Sequence, residues 1–114
     1  MTVYKAPLED YKFLFHEVFN VVNVCKELGY DQVDRELIDM MSEEWSQFVT
    51  EVWKPSNIDG DKFGSVLKDG AVISAPGFKE AWKQTVESGW LQAVCEEEHG
   101  GMGLPLFFRN AMDE

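Results

Sequence analysis

Apolar residues recur every three or four positions along most of this chain, and that spacing predicts its elements. Leu8, Tyr11, Leu14, Phe15, Val18, Val22 and Cys25 form one such series, the mark of an amphipathic helix. The β-branched run from Val18 to Val24 lowers helix propensity, so the pattern predicts either a helix held by packing or a break near Asn20–Asn23, with Gly29 as the stop. A second series, Leu37, Ile38, Met41, Trp45, Phe48, Val49 and Val52, makes one apolar stripe with acidic residues on the other faces. Asp31 or Asp34 is placed to cap it, and Pro55 is expected to end it. From Ser56 to Pro76 the period fades, and this stretch is expected to be an irregular insertion. Asp59-Gly60 and Asp69-Gly70 are turn signals within it, and Val66-Leu67 with Val72-Ile73 predict a short hairpin or paired extended segments. Phe78, Ala81, Trp82, Thr85 and Val86 predict a third helix stopped by Gly89, followed by a short helical turn within Leu91–Glu98. Pro105 is expected to open a last helix through Leu106, Phe107, Ala111 and Met112. No stop signal precedes Glu114, so that helix reads as truncated. Residues 1–7 read as an extended arm, because Pro7 disfavours a helical residue before it.

The fold class expected from these patterns is all-α: about four helices in a bundle, with an interruption at 56–76. At 114 residues the chain is one domain by size. Its 10 basic and 21 acidic residues give a formal net charge of −11, which argues against nucleic acid, an anionic membrane or the phosphates of a coenzyme as direct partners. Cys25 and Cys95 read as buried, reduced thiols, and with no signal segment the expected location is cytoplasmic.

Candidate chemistry is thin. Asn57, Asp59 and Asp61 alternate like a calcium loop, but neither register supplies both the glycine and the final glutamate, leaving a solvated turn as the reading. His16, His99, Cys25 and Cys95 show no zinc spacing, so no metal site is assigned. Cys95 and His99 lie four apart without an orienting third group, and Glu96-Glu97-Glu98 reads as a solvated end rather than an acid–base pair. Gly100-Gly101-Met102-Gly103 lacks both the sixth-position glycine of a dinucleotide loop and the Gly-Lys-Ser/Thr of a P-loop. The residues assign no catalytic group.

Three blocks taken together carry a resemblance. Gly77-Phe78-Lys79-Glu80-Ala81-Trp82, Gly89-Trp90-Leu91 and Glu98-His99-Gly100-Gly101-Met102-Gly103-Leu104-Pro105 resemble the N-terminal domain of the FAD-dependent acyl-CoA dehydrogenases. Tyr4-Lys5-Ala6-Pro7-Leu8-Glu9-Asp10 and Pro55-Ser56-Asn57-Ile58-Asp59-Gly60-Asp61 resemble segments of the bacterial branch acting on methylmercaptopropionyl-CoA and related thioesters. Departures are Gln92-Ala93-Val94-Cys95 in place of a proline-containing connection, His99 where Tyr or Phe is common, and Met102 where Gln or Leu is common.

The resemblance implies a helical wall over the acyl and flavin pocket, with Gly89, Trp90, Gly100, Gly101, Gly103, Leu104 and Pro105 as a structural loop. It implies FAD, acyl-CoA and the remaining domains as partners of the parent protein, which removes an α-proton and passes a β-hydride to the flavin. The catalytic base belongs to a C-terminal domain outside this chain, so no FAD retention or activity is expected of these residues alone, and a homo-oligomer is expected. A stand-alone helical interaction module is the alternative.

Overall fold

In a computed structural model, residues 3–114 are described; Met1 and Thr2 of the expected arm lie outside them. The chain is mostly helical. Its elements are α1 (Leu8–Lys12), α2 (Val21–Glu27), α3 (Arg35–Phe48), α4 (Lys54–Phe63), β1 (Val66–Lys68), β2 (Ala71–Ile73), α5 (Phe78–Glu87) and α6 (Phe107–Asp113). A wide π-type turn over Phe13–Val18 extends α1, and a second over Val49–Trp53 joins α3 to α4. No helix among the described residues is long and apolar enough to cross a membrane.

The predicted break falls at Asn20, whose φ of 46° puts it in the left-handed region that asparagine tolerates better than most residues. Asp34 caps α3, its side chain accepting the Leu37 amide at 2.8 Å. Both readings came from local chemistry and both hold.

Pro55 does not end the helical path. It sits in the first turn of α4, where its missing N–H costs little. The preceding π-type turn relaxes the regular ladder, and the Ser56 hydroxyl donates to the Trp53 carbonyl at 2.7 Å. Residues expected to be irregular from 56 onward are therefore helical as far as Phe63. Gly60, expected in a turn, lies inside α4. A Cβ there would stand 2.8 Å from the Phe78 ring, so this glycine makes room for α5. Asn57, Asp59 and Asp61 consequently lie along a helix rather than in a solvated turn.

The hairpin forms where Asp69-Gly70 predicts it. Val66, Leu67 and Lys68 pair antiparallel with Ile73, Val72 and Ala71. Asp69 and Gly70 have φ of 52° and 78°, the pair of positive values that a two-residue turn matching strand twist requires. Pro105 precedes α6 instead of starting it; the Phe108 amide reaches back to its carbonyl at 3.2 Å.

Two polar contacts tie the first helical segment antiparallel to α3. Lys12 Nζ lies 2.8 Å from Glu43, and His16 Nε2 lies 2.7 Å from Asp39, the imidazole nearly covered. The core gathers Cys25 from α2, Val33, Ile38 and Met41 from α3, Ala93, Leu104, and Phe108 from α6. This core is shallow. The molecule measures 54 × 37 × 16 Å, and its radius of gyration is 17.0 Å where a compact chain of this length has about 13 Å. Its accessible surface of 8000 Å² exceeds the ~6,400 Å² typical of its mass. The bundle is a slab rather than a ball, and it leaves Phe13, Phe19, Leu28, Phe63 and Trp82 exposed.

Candidate functional site

Residues 88–105 fold back on themselves and fasten α5 to α6. Gly89, with φ of 79°, closes α5 in the left-handed conformation, and the chain then makes a 3₁₀ turn at Trp90–Gln92. A second 3₁₀ turn at Glu97–His99 ends at Gly100, with φ of 83°. The returning strand of the loop lies against the outgoing one. Gly101 donates to the Glu96 carbonyl at 3.0 Å, Gly103 to Cys95 at 2.8 Å and Leu104 to Ala93 at 3.1 Å. Gly101 is the closest approach: an added Cβ would meet the Cys95 carbonyl oxygen at 2.0 Å, inside any real contact distance. Gln32 pins the far side by donating to the Gly103 carbonyl at 3.2 Å.

The glycines are thus spent on crossing backbone, not on cradling a phosphate. The amides of Gly100, Gly101 and Gly103 point at the carbonyls of Glu97, Glu96 and Cys95. Leu104 then drops into the core, and Pro105 delivers the chain to α6. Trp90 packs edge-on to Trp45, with ring centroids 5.1 Å apart, while Trp45 stacks on Phe48 at 5.5 Å. Gly89, Trp90, Gly100, Gly101, Gly103, Leu104 and Pro105 all lie within this fold-back.

Beside that unit lies an apolar cavity of about 260 Å³. Tyr4 and Ala6 of the arm, Tyr11 of α1, Met41 and Trp45 of α3, Trp90, and Phe108 and Met112 of α6 wall it. The Trp45 indole donates to the Met112 carbonyl at 3.0 Å and so holds α6 against α3, while Phe15 meets Phe107 edge-on at 5.1 Å. Burial, reinforced by Glu114 and Tyr4, pushes the Tyr11 hydroxyl above its ordinary value, so it is protonated at neutral pH. Ser42, also on the wall, donates to the Ile38 carbonyl at 2.8 Å. The cavity can select shape and exclude water. Asp113 and Glu114 also reach its wall, and among the described residues no hydrogen bond joins a hydroxyl of the wall to a carboxylate or a histidine.

The titratable candidates fall elsewhere. Glu96, Glu98 and His99 cluster with ligand atoms within 4.8 Å of one another, but all three are exposed. Cys95 is exposed, contrary to the expectation of two buried thiols, because the tight loop turns it outward while Ala93 takes the core position. Cys25 is buried as expected, and burial raises its thiol above the ordinary value. Among the described residues no hydrogen bond joins Cys95 to His99. The His16–Asp39 contact escaped the sequence reading, because its partners lie 23 residues apart and only the α1–α3 packing brings them together.

No protein-family model matches the chain. Over 102 residues it is 32% identical to 3-methylmercaptopropionyl-CoA dehydrogenase of Ruegeria pomeroyi, a match covering 90% of this chain and 17% of that protein. The chain is thus similar in sequence to a part of 3-methylmercaptopropionyl-CoA dehydrogenase. This agrees with the resemblance read in the arm, the α4 segment and the glycine loop. The chain spans about one sixth of the length of that relative.

Proposed function

We propose that these residues are the N-terminal helical domain of an FAD-dependent acyl-CoA dehydrogenase, walling the acyl and flavin pocket without a reacting group of their own. The observation that carries the reading is the 102-residue similarity to 3-methylmercaptopropionyl-CoA dehydrogenase, taken with the resemblance of the arm and the glycine loop to the N-terminal domain of that family. The slab shape supports it, since a wall needs a body to lean on and roughly 1,600 Å² of surface beyond the compact expectation is left uncovered.

The residues present do not fit FAD by themselves. The cavity of about 260 Å³ falls below the ~300–1,000 Å³ of ordinary ligand pockets, the net charge of −11 opposes a pyrophosphate, and the loop amides are already paired. The flavin of the parent would supply the electron-accepting chemistry, and α,β-dehydrogenation of the thioester belongs to parts of that protein outside this chain. What these residues contribute is a rigid aromatic face, Trp45, Phe48 and Trp90, and a loop that fixes where α6 begins. Titrating the purified chain into FAD while following flavin fluorescence tests this. The expected result is no saturable change; a stoichiometric, saturable quench would overturn the proposal.

A further inference from the structure

We propose that the cavity walled by the arm, α1, α3 and α6 is an aromatic cage for a small organic cation, with a quaternary ammonium head as the ligand that fits it. The proposal stands apart from the enzyme reading, since it concerns what the cavity holds whether or not the chain walls a flavin. Six rings line the cavity: Tyr4 from the arm, Tyr11 and Phe15 from the first helical segment, Trp45 from α3, Trp90 from the glycine loop and Phe108 from α6. Tyr11 and Phe15 lie within 19° of parallel with centroids 6.0 Å apart, whereas Trp45 and Trp90 meet at 63°. The rings therefore form walls and a corner rather than one flat stack. An aromatic face carries negative charge density and attracts a cation, more strongly where water is excluded.

The charges select the sign of the ligand. Asp113 and Glu114 reach the wall, and among the described residues no Lys, Arg or His does. Asp113 is already held by Arg109 at 3.0 Å, which leaves Glu114 as the carboxylate that faces a ligand. Burial, and after it the Glu114 charge, pushes the Tyr11 hydroxyl above its ordinary value, so the field of that carboxylate is felt on the wall. Two donors that an anion would use are already spent. The Trp45 indole donates to the Met112 carbonyl at 3.0 Å, and the Ser42 hydroxyl donates to the Ile38 carbonyl at 2.8 Å. The net charge of −11 further raises the local concentration of cations.

Size and hydrogen bonding narrow the class. At about 260 Å³ the cavity lies just below the ~300–1,000 Å³ of pockets for drug-sized ligands, so its ligand is a small one. A primary ammonium would bring N–H donors that rings and methionines cannot satisfy, at a desolvation cost. A quaternary ammonium brings none, and its methyl groups pack on the same faces that attract its charge.

An NMR titration of the isotopically labelled chain tests this, following the indole signals of Trp45 and Trp90. The probe is choline chloride. The comparison ligands are its uncharged isostere, dimethylbutanol with carbon in place of the nitrogen, and sodium pentanoate as a plain acyl chain, all at matched ionic strength. The expected result is saturable choline binding at least about tenfold tighter than either comparison ligand. Tyr11→Leu keeps an apolar wall but removes a ring, and Glu114→Gln removes the charge at an exposed site. Each should weaken choline binding by about threefold or more with helical circular dichroism retained, and Glu114→Gln should leave the alcohol unchanged. No saturable shift with choline up to about 50 mM overturns the proposal. So does binding of the alcohol or pentanoate as tightly as choline, because the cavity is then an apolar slot indifferent to charge. Choline binding that both substitutions leave unchanged overturns it as well, because the cation then sits elsewhere.

Discussion

Replacing Gly101 with alanine isolates the role of the glycine loop. Gly101 does not have positive φ, so an alanine there meets no intrinsic backbone penalty. The whole cost comes from its neighbour: the new Cβ would sit 2.0 Å from the Cys95 oxygen, 2.4 Å from its carbonyl carbon and 2.6 Å from its Cβ. None of these is the far end of a flexible side chain, so the two strands of the loop must separate. Separation loosens the Gly101–Glu96, Gly103–Cys95 and Leu104–Ala93 hydrogen bonds, each contributing about 1 kcal/mol, and draws Leu104 out of the core. The expected loss is therefore about 3 kcal/mol, a large share of the ~5–15 kcal/mol that holds a domain together.

Gly29→Ala is the matched control. Its φ of 87° opens onto empty space, so it bears only the left-handed penalty of about 1–2 kcal/mol. Urea unfolding followed by Trp fluorescence reports both, Trp90 lying within the loop. At a slope of about 1–3 kcal/mol/M, Gly101→Ala should lower the midpoint by about 1–3 M. A Gly101→Ala chain that loses less than Gly29→Ala would refute the crossing-backbone account.

Other substitutions and conditions probe the remaining elements. Ile38→Ala empties a fully buried position and should cost about 2–5 kcal/mol, read by the same unfolding curves. Asp34→Ala removes the α3 cap and should cost about 1 kcal/mol, with Asp34→Asn recovering most of it. A thiol reagent at neutral pH should label Cys95 in the folded chain and Cys25 only on unfolding, as peptide mass spectrometry would show. Burial raises the Cys25 pKa above its ordinary 9.0, so the unfolded thiol ionises first: its contribution to stability is complete below that value and fades as pH rises toward the folded pKa. Cys25→Ala should flatten that part of the alkaline decline in the unfolding midpoint.

Elements specified by short-range chemistry were legible in the sequence. α3 announced itself through the Asp34 cap and a clean stripe, the hairpin through Asp69-Gly70, and the break before α2 through Asn20 beside β-branched residues. α4 was hidden because its signals depend on tertiary context. Pro55 is a terminator in a regular helix but an acceptable first-turn residue after a π-type turn, and Gly60 marks a turn only when nothing packs against it, whereas here the Phe78 ring does. The glycine loop was legible as a unit, yet the reason Gly101 must be glycine was not, because the obstructing atom belongs to Cys95 across the fold-back. His16–Asp39 and the outward turn of Cys95 are products of packing, for which local spacing gives no signal.

The claim at the centre is that these helices form a wall that performs no oxidation unaided. Incubating the purified chain with FAD, octanoyl-CoA and an artificial electron acceptor tests it most directly. The account predicts acceptor reduction at the rate of the protein-free control; sustained turnover proportional to chain concentration would contradict it.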